Sequence, residues 1–341
     1  MKRILLTGGC GFLGHHLVEH LLKNTDAELV IVDRLAYASA GFDRLRDIKA
    51  FDDRRVLVLA ADIADGFSEG VRREIGEPEF VIHAGAETHV DNSIVDPLPF
   101  VRANVLGTHH VLMFARGLKK LARLFYISTD EVYGPAPPTF VHALGHDGFR
   151  EEDRFRPTNP YAATKAGAES LCMAYAHSFG IPITIVNSMN LFGERQHPEK
   201  FIPLVIRKVL AGEKLLIHAN PERTRSGSRF YLHCRTLASA LLFLMRAPHV
   251  TLRKVHISGE REVSNLDLAG QIARLVGKPL DYELVDFHSS RPGHDLRYAL
   301  DDTLMRSLGW TQPVNFDESL ERVVRWQTDP ANARWLEWGR T

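Results

Sequence analysis

The sequence predicts a doubly wound α/β fold, in which helices cover both faces of a parallel sheet. Two observations support this prediction. Short, continuously apolar runs of the kind that form strands buried on both faces recur through the first half of the chain. Longer segments with apolar residues at helical spacing separate these runs, which is the pattern of successive βαβ units. Ligands of such open sheets bind at the carboxyl ends of the strands.

The predicted strands and helices alternate along the chain. The strands are the runs RILLTG, LVIVD, RVLVLAAD, FVIHAG, RLFYIST and ITIVNSMN. The helical segments between them include residues 12–24, 97–121 and 159–180. The last segment begins with Asn159 and Pro160, a typical helix start, and ends at Gly180, a typical helix stop.

Beyond residue 180 the pattern becomes less regular and indicates a smaller second domain. Helices are predicted there near 234–247, 264–276 and 316–328. We assign residues 1–180 to a Rossmann domain, with a returning segment near 230–247, and residues 181–341 to a substrate-binding domain. The Pro- and Gly-rich segment 134–160 is either a lid over the site or a plain surface excursion.

Composition excludes several classes of function. Lys and Arg together number 42, as do Asp and Glu, so no global charge would recruit nucleic acid or an anionic membrane. Cys10, Cys172 and Cys234 are odd in number and form no CxxC, which argues against disulfides and zinc and for a reducing cytoplasm. The histidines form no metal-binding motif, and we expect no metal. No apolar stretch approaches the roughly 20 residues that span a bilayer, and the N-terminal run is interpreted as a strand rather than a signal peptide.

The first βα junction reads TGGCGFLG and places Gly8, Gly11 and Gly14 between a strand and a helix. Glycines at this position allow a tight turn and a close approach of the backbone to a pyrophosphate, whose charge the helix N-terminus attracts. The junction therefore predicts a bound dinucleotide.

Asp33 ends the second strand and indicates which dinucleotide is bound. A carboxylate at this position bonds both hydroxyls of the adenosine ribose and repels a 2′-phosphate, which favours NAD over NADP. The neighbouring Arg34 weakens this preference. Asp62, at the end of the third strand, would either reach the adenine amine or cap a helix.

The run YAATK places Tyr161 and Lys165 four residues apart, on one face of a helix. A phenol is a poor base at its usual pKa of about 10, but a nearby ammonium favours the phenolate and lowers that pKa. We therefore expect Lys165 to lower the pKa of Tyr161, so that Tyr161 takes a hydroxyl proton as a hydride leaves carbon.

The run STDEVYG places Thr129, Asp130 and Glu131 at the end of an apolar strand. Two adjacent carboxylates are more often solvated loop residues than a site. Here they follow a buried strand at the sheet edge where ligands bind, which favours a role in acid–base chemistry.

Taken together, these motifs resemble the extended short-chain dehydrogenase/reductase family of nucleotide-sugar enzymes. Within that family the sequence is most similar to the dTDP-glucose 4,6-dehydratase group. The similar stretches are DRLAYA, AETHVDNSI, ANVLGTHHVL, STDEVYG, NPYAATKA, PEKFIPLVI and RPGHDLRYALD.

The resemblance implies a 4,6-dehydratase reaction with NAD as the cofactor. Tyr161, with Lys165 and Thr129, would remove the proton of the sugar 4-hydroxyl while hydride passes to NAD. Glu131 would then take the carbon 5 proton, and a protonated Asp130 would give its proton to the departing 6-hydroxyl. The hydride would return to carbon 6. A 4-epimerase shares the Tyr161 and Lys165 machinery but needs no acid–base pair, and a scaffold protein without turnover would need neither.

The resemblance also implies the remaining site residues. The expected cofactor site comprises Gly8, Gly11, Phe12, Leu13, Gly14, Asp33, Asp62, Ile63, Ala84, Ala86, Asn104, Tyr161 and Lys165. The expected nucleotide-sugar site comprises Thr88, Asn190, Lys200, Arg229, Arg291 and His294. Relatives commonly form homodimers through the helices corresponding to residues 97–117 and 159–179, so we expect a homodimer.

The sequence departs from the family pattern at several positions. Leu191 follows Asn190 where a second asparagine is usual, Phe230 replaces an aspartate, and His256 replaces an asparagine. The segment HANPERTRSGSRFYLHC is longer than its counterpart by about four residues in the family pattern. We expect these changes to cluster around the nucleotide, which leaves its base undetermined.

Overall fold

The computed structural model describes residues 1–136, 148–247, 253–286 and 297–338. Its strands, in chain order, are β1 (Arg3–Thr7), β2 (Glu28–Asp33), β3 (Val56–Ala60), β4 (Phe80–His83), β5 (Arg123–Thr129), β6 (Ile183–Ser188), β7 (Asn190–Phe192), β8 (Leu215–Ala219), β9 (Ser228–His233), β10 (Lys254–Ile257), β11 (Glu262–Ser264) and β12 (Tyr282–Asp286).

The helices are α1 (Phe12–Asn24), α2 (Asp43–Asp47), α3 (Glu69–Ile75), α4 (Val90–Val95), α5 (Leu98–Phe100), α6 (Gly107–Arg116), α7 (Pro160–Phe179), α8 (Phe201–Ala211), α9 (Cys234–Arg246), α10 (Asn265–Val276), α11 (Thr303–Ser307), α12 (Phe316–Thr328) and α13 (Arg334–Glu337). A π-helical segment, Val101–Leu106, joins α5 to α6.

The large sheet confirms the predicted fold class. Among the described residues it has seven strands in the order β10-β6-β5-β4-β1-β2-β3, and every adjacent pair is parallel. The chain proceeds outward from β1 in one direction through β3 and in the other direction from β4. The carboxyl ends of β1 and β4 therefore flank the point where the strand order reverses, which is where open α/β sheets bind ligands.

Alternating side chains of the strands pack into two separate cores. Ile4 and Leu6 face the core that includes α1 and α9, whereas Leu5 faces the core that includes α6 and α7. This alternation explains why the strands are apolar throughout, because a sheet covered on both faces has no polar side.

The large sheet extends past residue 180, where the sequence analysis placed the domain boundary. Strands β6 and β10 both belong to it, and α9, within the returning segment near 230–247, packs with α1 in one of its cores. The smaller lobe contains the three-stranded sheet β11-β9-β7 and the pair β12-β8. Helices α8, α10 and α12 pack around these strands in a third core.

Helix α7 begins and ends where its sequence predicts. The Asn159 side chain accepts the backbone N–H of Ala162 at 2.8 Å, and Pro160 occupies the first helical position. Gly180 follows the helix in the left-handed region, with φ of +66°. These caps set the register of the helix and thereby the positions of Tyr161 and Lys165.

Among the described residues, no helix is long and apolar enough to cross a membrane. The same part of the chain contains no group of three or more His, Cys, Asp or Glu side chains that could hold a metal ion.

Candidate active site

A cleft of about 580 Å³ lies at the carboxyl edge of the large sheet, between the two lobes. Most of the residues predicted for a site line it, although they come from segments far apart in sequence. These residues are Gly8, Gly11, Phe12, Leu13, Gly14, Asp33, Asp62, Ile63, Ala84, Ala86, Thr88, Thr129, Asp130, Glu131, Tyr161, Lys165, Asn190, Lys200 and Arg229. Arg291 and His294 lie outside the described residues.

Asn104 is buried behind the wall of the cleft instead of lining it. Its amide accepts the backbone N–H of Glu87 at 2.8 Å and donates to the Glu87 carbonyl at 3.0 Å. It also donates to Oγ1 of Thr164, in α7, at 2.9 Å. Asn104 therefore fastens the loop after β4 to α7, and its predicted place in the cofactor site is an indirect one.

The glycine loop leaves no room for side chains. Gly8 has φ of +74°, and a Cβ there would lie 2.7 Å from the Cα of Gly85. A Cβ on Gly14 would lie 2.1 Å from the Gly8 carbonyl oxygen. The bare backbone therefore borders the cleft directly at the start of α1, where unpaired N–H groups favour an anion.

The Asp33 carboxylate is tied to the glycine loop. Its two oxygens accept the backbone N–H groups of Cys10 at 2.9 Å and Leu35 at 2.8 Å. Burial raises the pKa of Asp33, and these two N–H groups act in the opposite direction. Asp33, which was expected to bond the ribose hydroxyls, is thus held by hydrogen bonds against the loop that was expected to bind the pyrophosphate.

Asp62 has the capping role that the sequence left as one of two alternatives. Its side chain accepts the N–H of Ala64 at 2.8 Å and caps a short 3₁₀ turn. Arg34 lies 3.5 Å from the Asp62 carboxylate and is also paired with Glu87. Sequence reasoning missed Glu87, because only the fold brings the loop after β4 beside the end of β2.

Tyr161 and Lys165 are both buried in the cleft wall. The Lys165 ammonium donates to the Ile127 carbonyl at 2.7 Å and lies 4.3 Å from the centre of the Tyr126 ring. Burial lowers the pKa of Lys165 to about 8, and the nearby Glu169 carboxylate is the main group that opposes this shift.

The expected lowering of the Tyr161 pKa is wrong for the protein alone. Burial raises the pKa of Tyr161 well above its usual value, and the Glu131 carboxylate raises it further. A hydrogen bond with Thr129 favours the phenolate but does not reverse the shift. Desolvation is the larger effect because the phenol is 7% exposed.

Asp130 and Glu131 occupy different environments in the short turn Asp130–Tyr133 that follows β5. Asp130 is buried, and burial raises its pKa to about 6. The Thr129 hydroxyl donates to Asp130 at 2.9 Å and, together with Arg229, limits that rise. Glu131 is only half-buried and accepts a hydrogen bond from the Asn159 amide at 3.1 Å.

This arrangement can separate the roles of two adjacent carboxyl groups. A carboxyl group with a raised pKa can hold a proton near neutral pH and act as an acid, while its neighbour acts as a base. Asn159, which was predicted only as a helix start, also orients Glu131. Its position two residues before Tyr161 was the signal that could have indicated this second role.

Positive charge lines the far side of the cleft. Lys200 precedes α8, and the Arg229 guanidinium lies 4.9 Å from the centre of the Tyr298 ring. Leu191, one of the departures from the family pattern, also lines the cleft. Phe230 and His256, two further departures from the family pattern, do not line the cleft. The expectation that all the departures cluster around the nucleotide is therefore wrong.

A profile of the family described as GDP-mannose 4,6 dehydratase matches residues 5–323. The chain belongs to this dehydratase family. The match covers both lobes, so the small lobe is part of the family pattern and not a separate addition. The expected resemblance to extended short-chain dehydrogenase/reductases, and among them to dTDP-glucose 4,6-dehydratases, is confirmed.

Individual members of the family are similar along the whole chain. The chain is 35% identical to the dTDP-glucose 4,6-dehydratase of Shigella flexneri, over 98% of its own length and 94% of that protein. It is 33% identical to a trifunctional UDP-glucose 4,6-dehydratase, epimerase and reductase of Arabidopsis thaliana. The chain spans about half of that longer plant protein, 48% of its length.

Solved structures show the same similarity in three dimensions. The dTDP-glucose 4,6-dehydratase of Streptomyces venezuelae, with NAD bound, has a TM-score of 0.84 and 31% identity and covers 97% of this chain and 98% of its own. The enzyme of Bacillus anthracis, in complex with NAD, also has a TM-score of 0.84, at 28% identity and 99% coverage of both chains. A UDP-glucuronic acid 4-epimerase of Bacillus cereus, 23% identical with a TM-score of 0.83, shares the fold alone.

Proposed function

We propose that this dehydratase-family chain is an NAD-dependent 4,6-dehydratase of nucleotide-linked hexoses. It converts an NDP-hexose of the dTDP-glucose or UDP-glucose type to the NDP-4-keto-6-deoxyhexose. The observation that carries the proposal is that Asp130 and Glu131 share one cleft with Tyr161 and Lys165. The full-length similarity to dTDP-glucose 4,6-dehydratases supports it.

The residues of the cleft fit NAD. The glycine loop binds the pyrophosphate. A Cβ on Gly8 or Gly14 would clash with the backbone of this loop or of its neighbour. Asp33 takes the adenosine ribose, and its charge disfavours a 2′-phosphate. Arg34 is held by Glu87 and Asp62, so its charge is compensated within the protein. When bound, NAD accepts a hydride from carbon 4 of the sugar and later returns it to carbon 6.

Tyr161 takes the proton of the 4-hydroxyl. Its phenol is buried and its pKa is raised, so deprotonation requires positive charge close to it. Lys165 would supply such a charge from the same helix face. When Asp130 is protonated, the Thr129 hydroxyl can turn from that carboxyl group and donate to the Tyr161 phenolate. These three residues perform the oxidation step.

Glu131 and Asp130 perform the elimination. The 4-ketone acidifies the carbon 5 hydrogen, and Glu131 takes that proton. Asp130 donates its own proton to the 6-hydroxyl, which departs as water and leaves a double bond between carbons 5 and 6. The hydride removed from carbon 4 then adds to carbon 6, and Glu131 returns a proton, exchanged with solvent, to carbon 5. The proton that Tyr161 took balances the one that Asp130 gave, so the net change is the loss of one water.

Thr88, Asn190, Lys200 and Arg229 hold the nucleotide sugar in this proposal. All four line the cleft. Arg and Lys side chains are the usual partners of a diphosphate. Because the chain has no net charge, positive charge for a diphosphate has to come from individual side chains such as these. Arg291 and His294 belong to the same proposal on the basis of the family pattern.

A panel of nucleotide sugars tests the function. The protein is incubated in D2O with dTDP-glucose, UDP-glucose, CDP-glucose, GDP-glucose, GDP-mannose and UDP-glucuronic acid, and the products are analysed by mass spectrometry and NMR. We expect one sugar to lose water and to gain solvent deuterium at carbon 5. If every nucleotide sugar that reacts gives only an isomer of unchanged mass, the protein is a 4-epimerase and not a dehydratase.

We also propose that the protein is a cytoplasmic homodimer. Leu98, Val101, Leu106 and Met113 on the Leu98–Arg116 helical stretch are 62%, 45%, 40% and 40% exposed. On α7, Phe179 is 45% exposed. Exposed apolar residues on two neighbouring helices favour an isologous contact between two copies. The three cysteines are free and buried, which is compatible with a reducing compartment.

A further inference from the structure

A buried ion pair lies next to the proposed catalytic residues. Glu169 is fully buried in α7, one helical turn after Lys165 and on the same helix face. Its Oε2 atom lies 2.8 Å from Nζ of Lys254, which is in β10. Burying two opposite charges costs more desolvation energy than it returns unless the geometry is good and further hydrogen bonds are made. The partners of this pair therefore indicate what it does.

One end of the pair holds the beginning of the Asp130–Tyr133 turn. Oε1 of Glu169 accepts a hydrogen bond from the Asn187 amide at 2.6 Å. The same amide nitrogen donates to the backbone carbonyl of Thr129 at 2.9 Å. Because Asn187 is fully buried in β6, the carboxylate fixes the direction in which this amide points.

The other end of the pair holds the end of the same turn. Lys254 donates to the Tyr133 hydroxyl at 3.2 Å. Tyr133 in turn donates to Nε2 of His256 at 2.7 Å. His256 accepts at Nε2 because its Nδ1 faces two carbonyl oxygens at 3.1 and 3.2 Å and must carry the proton. The residues on either side of Asp130 and Glu131 are thus both attached to the Glu169–Lys254 pair.

Glu169 also acts on the charge of Lys165. Among the described residues, the titratable groups around Lys165 are Tyr161, Glu169 and Cys172 on α7, His83 on β4, and the Tyr126 phenol on β5. Burial raises the pKa of Tyr161, so its phenol is neutral in the protein alone. Burial lowers the pKa of His83 to about 3, and it raises the pKa of both the Cys172 thiol and the Tyr126 phenol. All three are therefore neutral near pH 7. Glu169 is the carboxylate of this group, it opposes the lowering of the Lys165 pKa, and it is paired with Lys254.

We propose that Glu169 is a positioning residue for the dehydration. Through Asn187 and Lys254 it fixes both ends of the turn that carries Asp130 and Glu131, and it places a carboxylate one helical turn from the Lys165 ammonium. The inference rests on the proposed function, because it assigns Glu169 a part in that reaction.

The variant Glu169→Gln tests the inference, because glutamine keeps the size and one acceptor oxygen for the Asn187 amide, but removes the charge and replaces the second oxygen with an NH2 group. Asp130 already causes one decline near pH 6, and Lys165 causes a second alkaline limb near pH 8. We expect this second limb of the kcat profile to move down by about one pH unit in the variant, the size of shift that one nearby charge causes. At pH values on that limb kcat then falls about tenfold, while KM changes little. A kcat that falls by the same factor at all pH values shows that the Glu169 charge does not act on Lys165, and that result overturns the proposal.

The double variant Glu169→Gln/Lys254→Met is the matched control. It removes both charges of the ion pair, so neither Glu169 nor Lys254 leaves the other as an unpaired buried charge. If the pair only stabilises the fold, the double variant recovers both the wild-type Tm and the wild-type pH profile. We expect it to recover Tm while its alkaline limb stays displaced.

An NMR titration separates the failure of this inference from the failure of the proposed function. The protein is labelled with ¹³Cε-lysine, and the Lys165 signal is identified by its loss in Lys165→Met. We expect Lys165 to titrate about one pH unit lower in Glu169→Gln than in the wild type. This measurement needs no sugar. An unmoved titration overturns the inference, whereas a wild-type protein that dehydrates no sugar overturns only the proposed function.

Discussion

Asp130 and Glu131 are neighbours in sequence, but the fold gives their carboxyl groups different surroundings. Asp130 is 4% exposed, and burial raises its pKa to about 6. Glu131 is half-buried and bonded to the Asn159 amide. The difference arises because the Asp130–Tyr133 turn directs one side chain inward beneath Thr129 and the other toward the start of α7. Elimination of water needs this asymmetry between acid and base.

The pH dependence of the dehydration follows from the Asp130 pKa. An acid must hold its proton, and the protonated fraction of Asp130 falls about tenfold per pH unit above its pKa. We expect kcat/KM for dehydration to decline as the pH rises through about 6. Steady-state assays check this, at pH values from about one unit below that pKa to about three units above it. A flat profile above pH 6 would remove Asp130 from the acid role.

The variant Glu131→Gln isolates the oxidation step. Glutamine can still accept a hydrogen bond from Asn159 but cannot take the carbon 5 proton. We expect the enzyme to oxidise carbon 4 and then stall, so that NADH absorbance accumulates slowly after sugar is added. The same variant without sugar is the control. If no NADH signal develops, Glu131 is not the base.

At the scale of elements, the start of α7 joins the fold to the chemistry. The Asn159 side chain caps the helix through its oxygen and holds Glu131 through its nitrogen. One residue therefore contributes both to helix stability and to the position of the proposed base. Asn315 caps α12 in the same way, accepting the N–H of Glu318 at 2.9 Å, and does not line the cleft.

Replacing these two caps separates stability from activity. We expect Asn159→Ala and Asn315→Ala each to lower the free energy of unfolding by about 1 kcal/mol, the usual cost of losing a cap. Only Asn159→Ala should also lower kcat, by about tenfold, because it removes the hydrogen bond that orients Glu131. Denaturant unfolding and steady-state kinetics measure both quantities. Equal losses of kcat in the two variants would contradict the role of Asn159.

The elements differ in how well the sequence predicts them. Strands β1, β2, β4, β5 and β6 were identifiable because a strand buried on both faces is apolar throughout. The edge strand β3 is only partly buried, and its apolar run VLVLA still identified it. The pairing of β8 with β12 was not, because these short strands are half exposed and far apart in the chain. Only the packing of the small lobe brings them together.

At the scale of the whole molecule, exposed apolar residues on the Leu98–Arg116 stretch and α7 provide a test of the dimer. A charge placed within a buried apolar contact is strongly unfavourable. We expect Leu98→Arg to convert the homodimer to a monomer, as measured by light scattering during size-exclusion chromatography. Val314→Arg, at a position 41% exposed just before α12, is the control and should remain dimeric. A monomeric wild-type protein, or a dimer in both variants, contradicts the proposed interface.

The sequence by itself determined the doubly wound fold, the glycine loop, and the placement of Thr129, Asp130, Glu131, Tyr161 and Lys165 at one edge of the sheet. These features depend on local patterns, because strand ends, helix caps and helix faces are set by residues close in the chain. The tertiary structure alone decided the direction of each pKa shift, the pairing of Arg34 with Glu87, and the attachment of the Asp130–Tyr133 turn to Glu169 and Lys254. Desolvation and charge pairing depend on which distant segments the fold brings together, and no local pattern records that.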